Sequence, residues 1–201
     1  MLAVGMCLVS GWAEAACKRT DVTGADRHMP VNGSFNQTLL DAAILAEANY
    51  YRCKSNLKPL QSLTVLRDPA KGHSDWMAKK NKLSHKSNVR GLRTLKDRVN
   101  STGLVARSAA ENLAYLPLFD LTKRFRIVDS NSCLFASLDG KRLKPHSYES
   151  FAQKVVLMWM NSPGHRKNLL SRSTSHMAAA ATLRPERKSC GNVYVTQLFV
   201  G

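Results

Sequence analysis

One stretch constrains this chain more than any other: Val155-Val156-Leu157-Met158-Trp159-Met160-Asn161-Ser162-Pro163-Gly164-His165-Arg166-Lys167-Asn168-Leu169-Leu170. Val155, Met158, Trp159 and Ser162 fall on one side at helical spacing. Pro163 cannot continue that helix, and Gly164 admits backbone angles that other residues resist. His165 therefore stands at a sharp turn between two short helices, held more firmly than a histidine on a free loop. The same residues are equally compatible with a plain helix–helix turn and a capping histidine.

The opening segment, residues 1–16, is short, apolar and rich in small residues, and Ala13-Glu14-Ala15 fits an A-x-A cleavage site. It reads as a signal peptide, although no basic residue precedes its apolar part; a buried N-terminal helix is the competing reading. A lipoprotein signal ending at Cys17 fits less well, because Glu14-Ala15-Ala16 is a poor match to the residues such a signal needs. The expected location is secreted or periplasmic. Signal removal takes Cys7 and leaves Cys17, Cys53, Cys133 and Cys190, an even set in an exported protein that implies two disulfides. Four cysteines allow three pairings, and the sequence does not choose among them. The nearness of Cys133 and Cys190 to hairpin-like segments favours that pair, which leaves Cys17 with Cys53. No two cysteines have the close spacing of a zinc-thiolate site.

The 201 residues favour one domain with room for an insertion, and 44% hydrophobic residues can build a buried core. Beyond the signal, no apolar run is long enough to span a bilayer. Thirty Lys and Arg against 14 Asp and Glu give a net charge of +16. That balance points to polyanions: nucleic acid, anionic lipid headgroups, lipopolysaccharide or acidic wall polymers. The export signal argues against specific nucleic-acid binding, and no nucleic-acid motif occurs. An ordinary solvated basic surface would give the same total.

Residues 17–35 carry Gly24, Pro30 and Gly33 and read as an irregular arm. Residues 36–55 read as a helix capped by Asn36 or Ser34, with Leu40, Ile44, Glu47 and Tyr51 in one stripe. Leu57-Lys58-Pro59-Leu60 breaks it. A second helix is expected to open at Asp68-Pro69, with Asp68 as cap, and to end near Asn81. His73 lies on its apolar side, most simply as a packing histidine. From Lys79 to Arg107 there are nine basic residues and one acidic, Asp97. The run brackets His85, so a pocket there should be electropositive. Thr94 to Asn100 can form a short helix.

Glu111 and Asn112 stand side by side among small and apolar residues in Ser108–Tyr115. A Glu in such company tends to be buried and then needs a partner; otherwise the segment is a surface helix start, where Glu111 would suit the positive end. Residues 117–146 read as an insertion with strand-like Arg126-Ile127-Val128 and Leu134-Phe135-Ala136 and a turn at Asp139-Gly140. Ser147 can cap the helix that leads to His165. Two strands close the chain. His176–Leu183 is alanine-rich and weak by propensity, Asn192–Val200 alternates clearly, and a hairpin connects them.

An ordered set of pieces resembles the CAP superfamily (cysteine-rich secretory, antigen 5 and pathogenesis-related proteins), in its bacterial SCP-domain form. The pieces are Asn49-Tyr50-Tyr51-Arg52 with Leu57-Lys58-Pro59-Leu60, Leu83-Ser84-His85 and Ala110-Glu111-Asn112. Trp159-Met160-Asn161-Ser162-Pro163-Gly164-His165-Arg166 and Tyr194-Val195-Thr196-Gln197-Leu198-Phe199 complete the set. They cover residues 36–201, and the tryptophan-to-arginine piece is the most specific.

The resemblance implies an α+β fold, an α-β-α sandwich with a small antiparallel sheet between helices. It also implies a central cavity lined by His85, His165 and Glu111, with Asn112 and Ser162 beside them as ligand-binding residues. Ser162 stands where many animal and plant members carry a second glutamate, so their four-residue set is incomplete here. Ala110 replaces the usual Gly before Glu-Asn, and Ala178-Ala179-Ala180-Ala181 replaces a Gly-Val-Gly strand.

Two imidazoles and a carboxylate could hold a divalent metal such as zinc, with His85 and His165 as ligands and a metal-activated water as the reagent. The wide sequence separation of the two histidines gives that idea little support. Without metal, Glu111 could act as a base oriented by His85 or His165. Neither arrangement includes an evident nucleophile, so the sequence leaves catalysis open. The expected function is a binding module for an anionic or lipid-like envelope ligand, with a metal-assisted hydrolase of envelope material or peptides as the alternative.

Overall fold

The computed structural model describes residues 17–186 and 189–201; the expected signal segment, residues 1–16, lies outside them. In chain order the elements are α1 (Gln37–Lys54), β1 (Gln61–Ser62), α2 (Arg67–Lys80), α3 (Leu95–Asn100) and β2 (Ala109–Pro117). There follow β3 (Phe125–Asp129), β4 (Leu134–Ser137), α4 (Tyr148–Met160), α5 (Pro163–Leu169), β5 (His176–Arg184) and β6 (Asn192–Val200).

The alanine run that propensity disfavours as a strand is the inner strand β5. It pairs antiparallel with β6, β6 pairs antiparallel with β2, and the sheet order is β1-β5-β6-β2. Side chains alternate across a strand, and here both faces are covered. Ala179 and Ala181 join the core built by Leu40 and Ile44 of α1 and Phe151, Val155 and Trp159 of α4. Ala178 and Ala180 join Leu66, Ala70 and Val99 on the side of α2 and α3. Methyl-sized side chains let a helix lie close on each face, and tertiary burial outweighs the weak intrinsic preference. The α-β-α sandwich follows directly.

The sheet is antiparallel except at one edge, where the two-residue β1 runs parallel to β5. Beyond β1 the outer edge of β5 is met by α1 side chains. Asp41 Oδ1 accepts from the Ala179 amide at 2.7 Å, and Gln37 both accepts from and donates to Ala181. An edge that would otherwise invite pairing with another chain is thereby closed.

Local signals place the helix ends. Asn36 caps α1 through Leu39 N, Ser147 caps α4 through Ser150 N, and Thr94 with Asp97 forms a reciprocal capping box on α3. Asp68 does not cap α2. A single 3-10 turn at Thr64–Leu66 runs straight into the helix, which starts at Arg67, and Asp68 sits inside the first turn. Its charge still suits the positive end of the helix. Ser108–Tyr115 is not a helix start either: residues from Ala109 onward belong to β2, because their pairing with β6 continues through nine registered residues.

Between β2 and α4, β3 and β4 form a separate two-stranded sheet joined by a turn at 130–133. Asp139-Gly140 turns the chain after β4 rather than between the strands. Phe135 anchors this unit in the α1–α4 core, edge-on to Phe119 and Phe125. The disulfides are Cys17–Cys53 and Cys133–Cys190. The first ties the N-terminal arm to α1; the second ties the β3–β4 turn to the β5–β6 connection.

Candidate functional site

Ala110 packs toward the α1–α4 core, so its neighbour Glu111 faces the opposite side of β2, toward α3. There its carboxylate is 1% exposed and meets Arg98, itself fully buried. Arg98 Nε donates to Glu111 Oε2 at 2.9 Å, and Nη2 donates to the same oxygen. The other oxygen, Oε1, lies 2.7 Å from His85 Nδ1. The His85 ring is 59% exposed. A carboxylate behind Nδ1 favours the proton on that nitrogen and turns Nε2 outward as a free lone pair.

The loop that carries His85 is pinned from below. Arg98 also donates to the carbonyls of His85 and Leu92. His73 is a packing histidine that also holds this loop. Its Nε2 donates to the Ser84 carbonyl at 2.8 Å, and its ring stacks on Trp76. Trp76 in turn donates to Asn88.

On the other side, Asn112 is fully buried. It donates to the His165 carbonyl and to Gln197, and accepts from Asn168, which also donates to the Glu111 carbonyl. These amides dock α5 on β2 and bring His165 near His85. His165 is half-buried; burial first, and the nearby His85 second, hold its pKa below the usual histidine value.

His85, Lys86, Thr94, Leu95, Ala109, Ala110, Glu111 and Asn168 line an open cavity of about 390 Å³. Asn112, Ser162 and His165 are not in its wall, and neither is any residue of 117–146. Ser162 occupies the N-cap position of α5 without a side-chain capping bond.

Both oxygens of Glu111 are committed, so it is not a free base. The donor set also falls short of a three-ligand zinc centre. His85 Nε2 and the His165 imidazole remain, and among the described residues no three His, Cys, Asp or Glu side chains converge as a metal-binding group.

Arg98 is the functional residue that sequence reasoning missed. A basic residue inside a nine-cation run looks solvated. The available signal was the demand of a buried Glu111 for a cation, combined with the position of Arg98 beside Val99 on a six-residue helix.

His73 is expected to make stability fall in acid. Burial pushes its pKa down, with Arg98 adding to the effect. Below the ordinary histidine pKa the unfolded chain takes up a proton that folded His73 refuses, so stability rises with pH across that range. The slope from this group is at most about 1.4 kcal/mol per pH unit. Melting temperatures of wild type and His73→Gln between about pH 5 and about pH 7.5 check this: the variant is expected to lose part of the acid sensitivity.

With the geometry in place, comparison with known proteins decides the family. The model of the cysteine-rich secretory protein family, CAP, matches residues 45–199. The chain belongs to the CAP family. Two Bacillus subtilis (strain 168) proteins are similar to it. The uncharacterized protein YkwD is 28% identical over 153 residues, 76% of this chain and 44% of the relative. The uncharacterized membrane protein YlbC is 29% identical over 164 residues, 82% of this chain and 35% of the relative. This CAP chain thus spans less than half the length of either. Among solved structures, an extracellular protein containing a SCP domain from Bacillus anthracis str. Ames superposes with a TM-score of 0.55 at 25% identity, covering 82% of this chain and 41% of that one. An outer surface protein from Borrelia burgdorferi gives 0.56 at 15% identity, covering 84% and 97%; that likeness is one of fold.

Proposed function

We propose that this CAP domain works outside the cytoplasm as a binding module for an anionic, lipid-like envelope ligand. Its headgroup would be held by His85 in front of Glu111, with His165 and Ser162 outside the cavity wall and the fully buried Asn112 holding α5 in place. The observation that carries the reading is the exposed imidazole of His85, fixed from behind by the buried Glu111–Arg98 pair and flanked by Lys86 at the mouth of an open cavity. The contact of Nδ1 with Glu111 orients the ring so that Nε2 faces an incoming oxyanion. Since Arg98 is neutralised by Glu111, the free positive charge in the cavity wall comes from Lys86.

Two disulfides support export, because such bonds persist in oxidising compartments. The extracellular description of the Bacillus anthracis protein agrees. Among the described residues no helix is long and apolar enough to cross a membrane.

Affinity for an anion should rise as pH falls through the histidine range. His165, held below the usual value, contributes at lower pH than an ordinary histidine. Cosedimentation with phosphatidylglycerol and phosphatidylcholine vesicles, at about pH 6 and about pH 8, tests the reading. Anionic vesicles are expected to bind about tenfold or more tighter, and more tightly at the lower pH. Equal binding to both vesicle types, or no binding to either, overturns it. Capture by a soluble acidic wall polymer in place of vesicles would move the ligand from lipid to polymer.

A further inference from the structure

A second cavity lies at the opposite edge of the sheet. Gln61, His176, Val200 and Ala109 form one registered row across β1, β5, β6 and β2. Ala109 lines the His85 cavity, whereas Gln61 and His176 line another of about 540 Å³. Three strand spacings separate the ends of that row, roughly 14 Å.

The second cavity is built around Arg52. Leu40, Ile44, Ala48 and Arg52 recur every four residues on the core face of α1, so the apolar stripe of that helix ends in a guanidinium. Arg52 is 3% exposed. Nε donates to the Lys58 carbonyl, and Nη1 donates to the carbonyls of Leu169 and Ser171. Nη2 has no hydrogen-bond partner among the described residues. No carboxylate pairs with Arg52 there either, and burial holds its pKa below the ordinary arginine value. A buried cation without a counter-ion is costly.

Thr174 also lines this cavity. It is 4% exposed, and its hydroxyl has no partner among the described residues. Lys58 and Arg172 add two cations to the wall, His176 adds an imidazole, and the lining contains no acidic residue.

We propose that this cavity is a phosphate site. Arg52 Nη2 and the Thr174 hydroxyl form its floor, and Lys58, Arg172 and His176 form its rim. Several donors converging on a cavity of this size suit a group with several equivalent oxygens. The phosphate arrives either free, as a small phosphate ester, or as a lipid headgroup. The site is separate from the His85 cavity and does not depend on the function proposed for it.

Calorimetric titration at low ionic strength tests it, with inorganic phosphate and glycerol phosphate as soluble probes and phosphatidylglycerol vesicles as the lipid arm. Arg52 is too deeply built in to remove safely. The variants are therefore Lys58→Gln/Arg172→Gln, both exposed positions, and Thr174→Val, which keeps every charge. Wild type should bind phosphate one-to-one. The double variant should weaken it about tenfold or more, and Thr174→Val severalfold, with melting curves showing each variant folded. The His85→Ala/His165→Ala variant should keep the soluble-phosphate binding that the rim variants lose, because neither histidine lines this cavity, whereas its vesicle binding falls with the other site. Binding of soluble phosphate identifies a free ligand, and vesicle binding without soluble-phosphate binding, weakened by the rim variants, identifies a lipid headgroup. No saturable binding in any arm overturns the proposal. So does binding equal in wild type and the rim variants, or binding lost only with His85 and His165.

Discussion

Arg98→Met lowers the unfolding free energy by about 3–5 kcal/mol. The guanidinium is fully buried and is the cation that faces Glu111 Oε2. Removing it strands a carboxylate that is 1% exposed, and frees the carbonyls of His85 and Leu92 from their donor. Glu111→Leu alone should cost a comparable amount, because it leaves the arginine buried without a counter-charge. The double variant Arg98→Met/Glu111→Leu should recover much of the loss, since both charges leave together and only the carbonyls of His85 and Leu92 lose their donor. Urea unfolding of the four proteins reads this cycle. Additive losses in the double variant would mean the pair is not a unit.

The double variant also separates scaffold from site. His85 would keep its loop through His73 and the Trp76–Asn88 hydrogen bond and lose the acceptor behind Nδ1. Stability is expected to return while anion binding does not.

Loss of the Cys133–Cys190 disulfide is the second large effect. The bridged residues are 57 apart in sequence, and the chain-entropy estimate for such a loop is about 4 kcal/mol. In a chain of this length that corresponds to a fall in melting temperature of about 8–16 °C. Cys133→Ala/Cys190→Ala, compared with wild type by thermal unfolding without reductant, gives the number. Both half-cystines sit in the left-handed region, at φ +54 and +56. Without the bridge those conformations lose their tie and the β3–β4 sheet loosens from the β5–β6 connection. The cavity at His85 has no wall residue from that region. Binding there should therefore survive wherever the variant remains folded, and loss of binding with a folded variant would show that the β3–β4 sheet shapes the site.

Much of the architecture was legible because caps and breakers act locally. Asn36, Thr94, Ser147 and Pro163 each mark a helix start in the place their side chains dictate. What was not legible depended on partners distant in sequence. The alanine run of β5 is a strand because α1 and α2 cover both its faces, a fact no window of the run contains. The apparent cap at Asp68 yields to the 3-10 turn before it. In the site, the expected constellation of two histidines and a glutamate is reshaped by Arg98. That residue takes one carboxylate oxygen and leaves His85 as the only expected site imidazole hydrogen-bonded to Glu111. Asn112 and Asn168 were equally hidden as a pair, since their contact joins β2 to α5 across 56 residues.

The measurement that reaches the central claim most directly sets ligand affinity beside stability for His85→Ala. The ring is exposed and its removal strands no buried group other than one oxygen of a carboxylate still held by Arg98. Melting temperature should therefore change little, while affinity for phosphatidylglycerol vesicles falls about tenfold and its rise toward acid pH flattens. Unchanged affinity with an unchanged melting curve would contradict the account and reduce His85, Glu111 and Arg98 to a purely structural cluster.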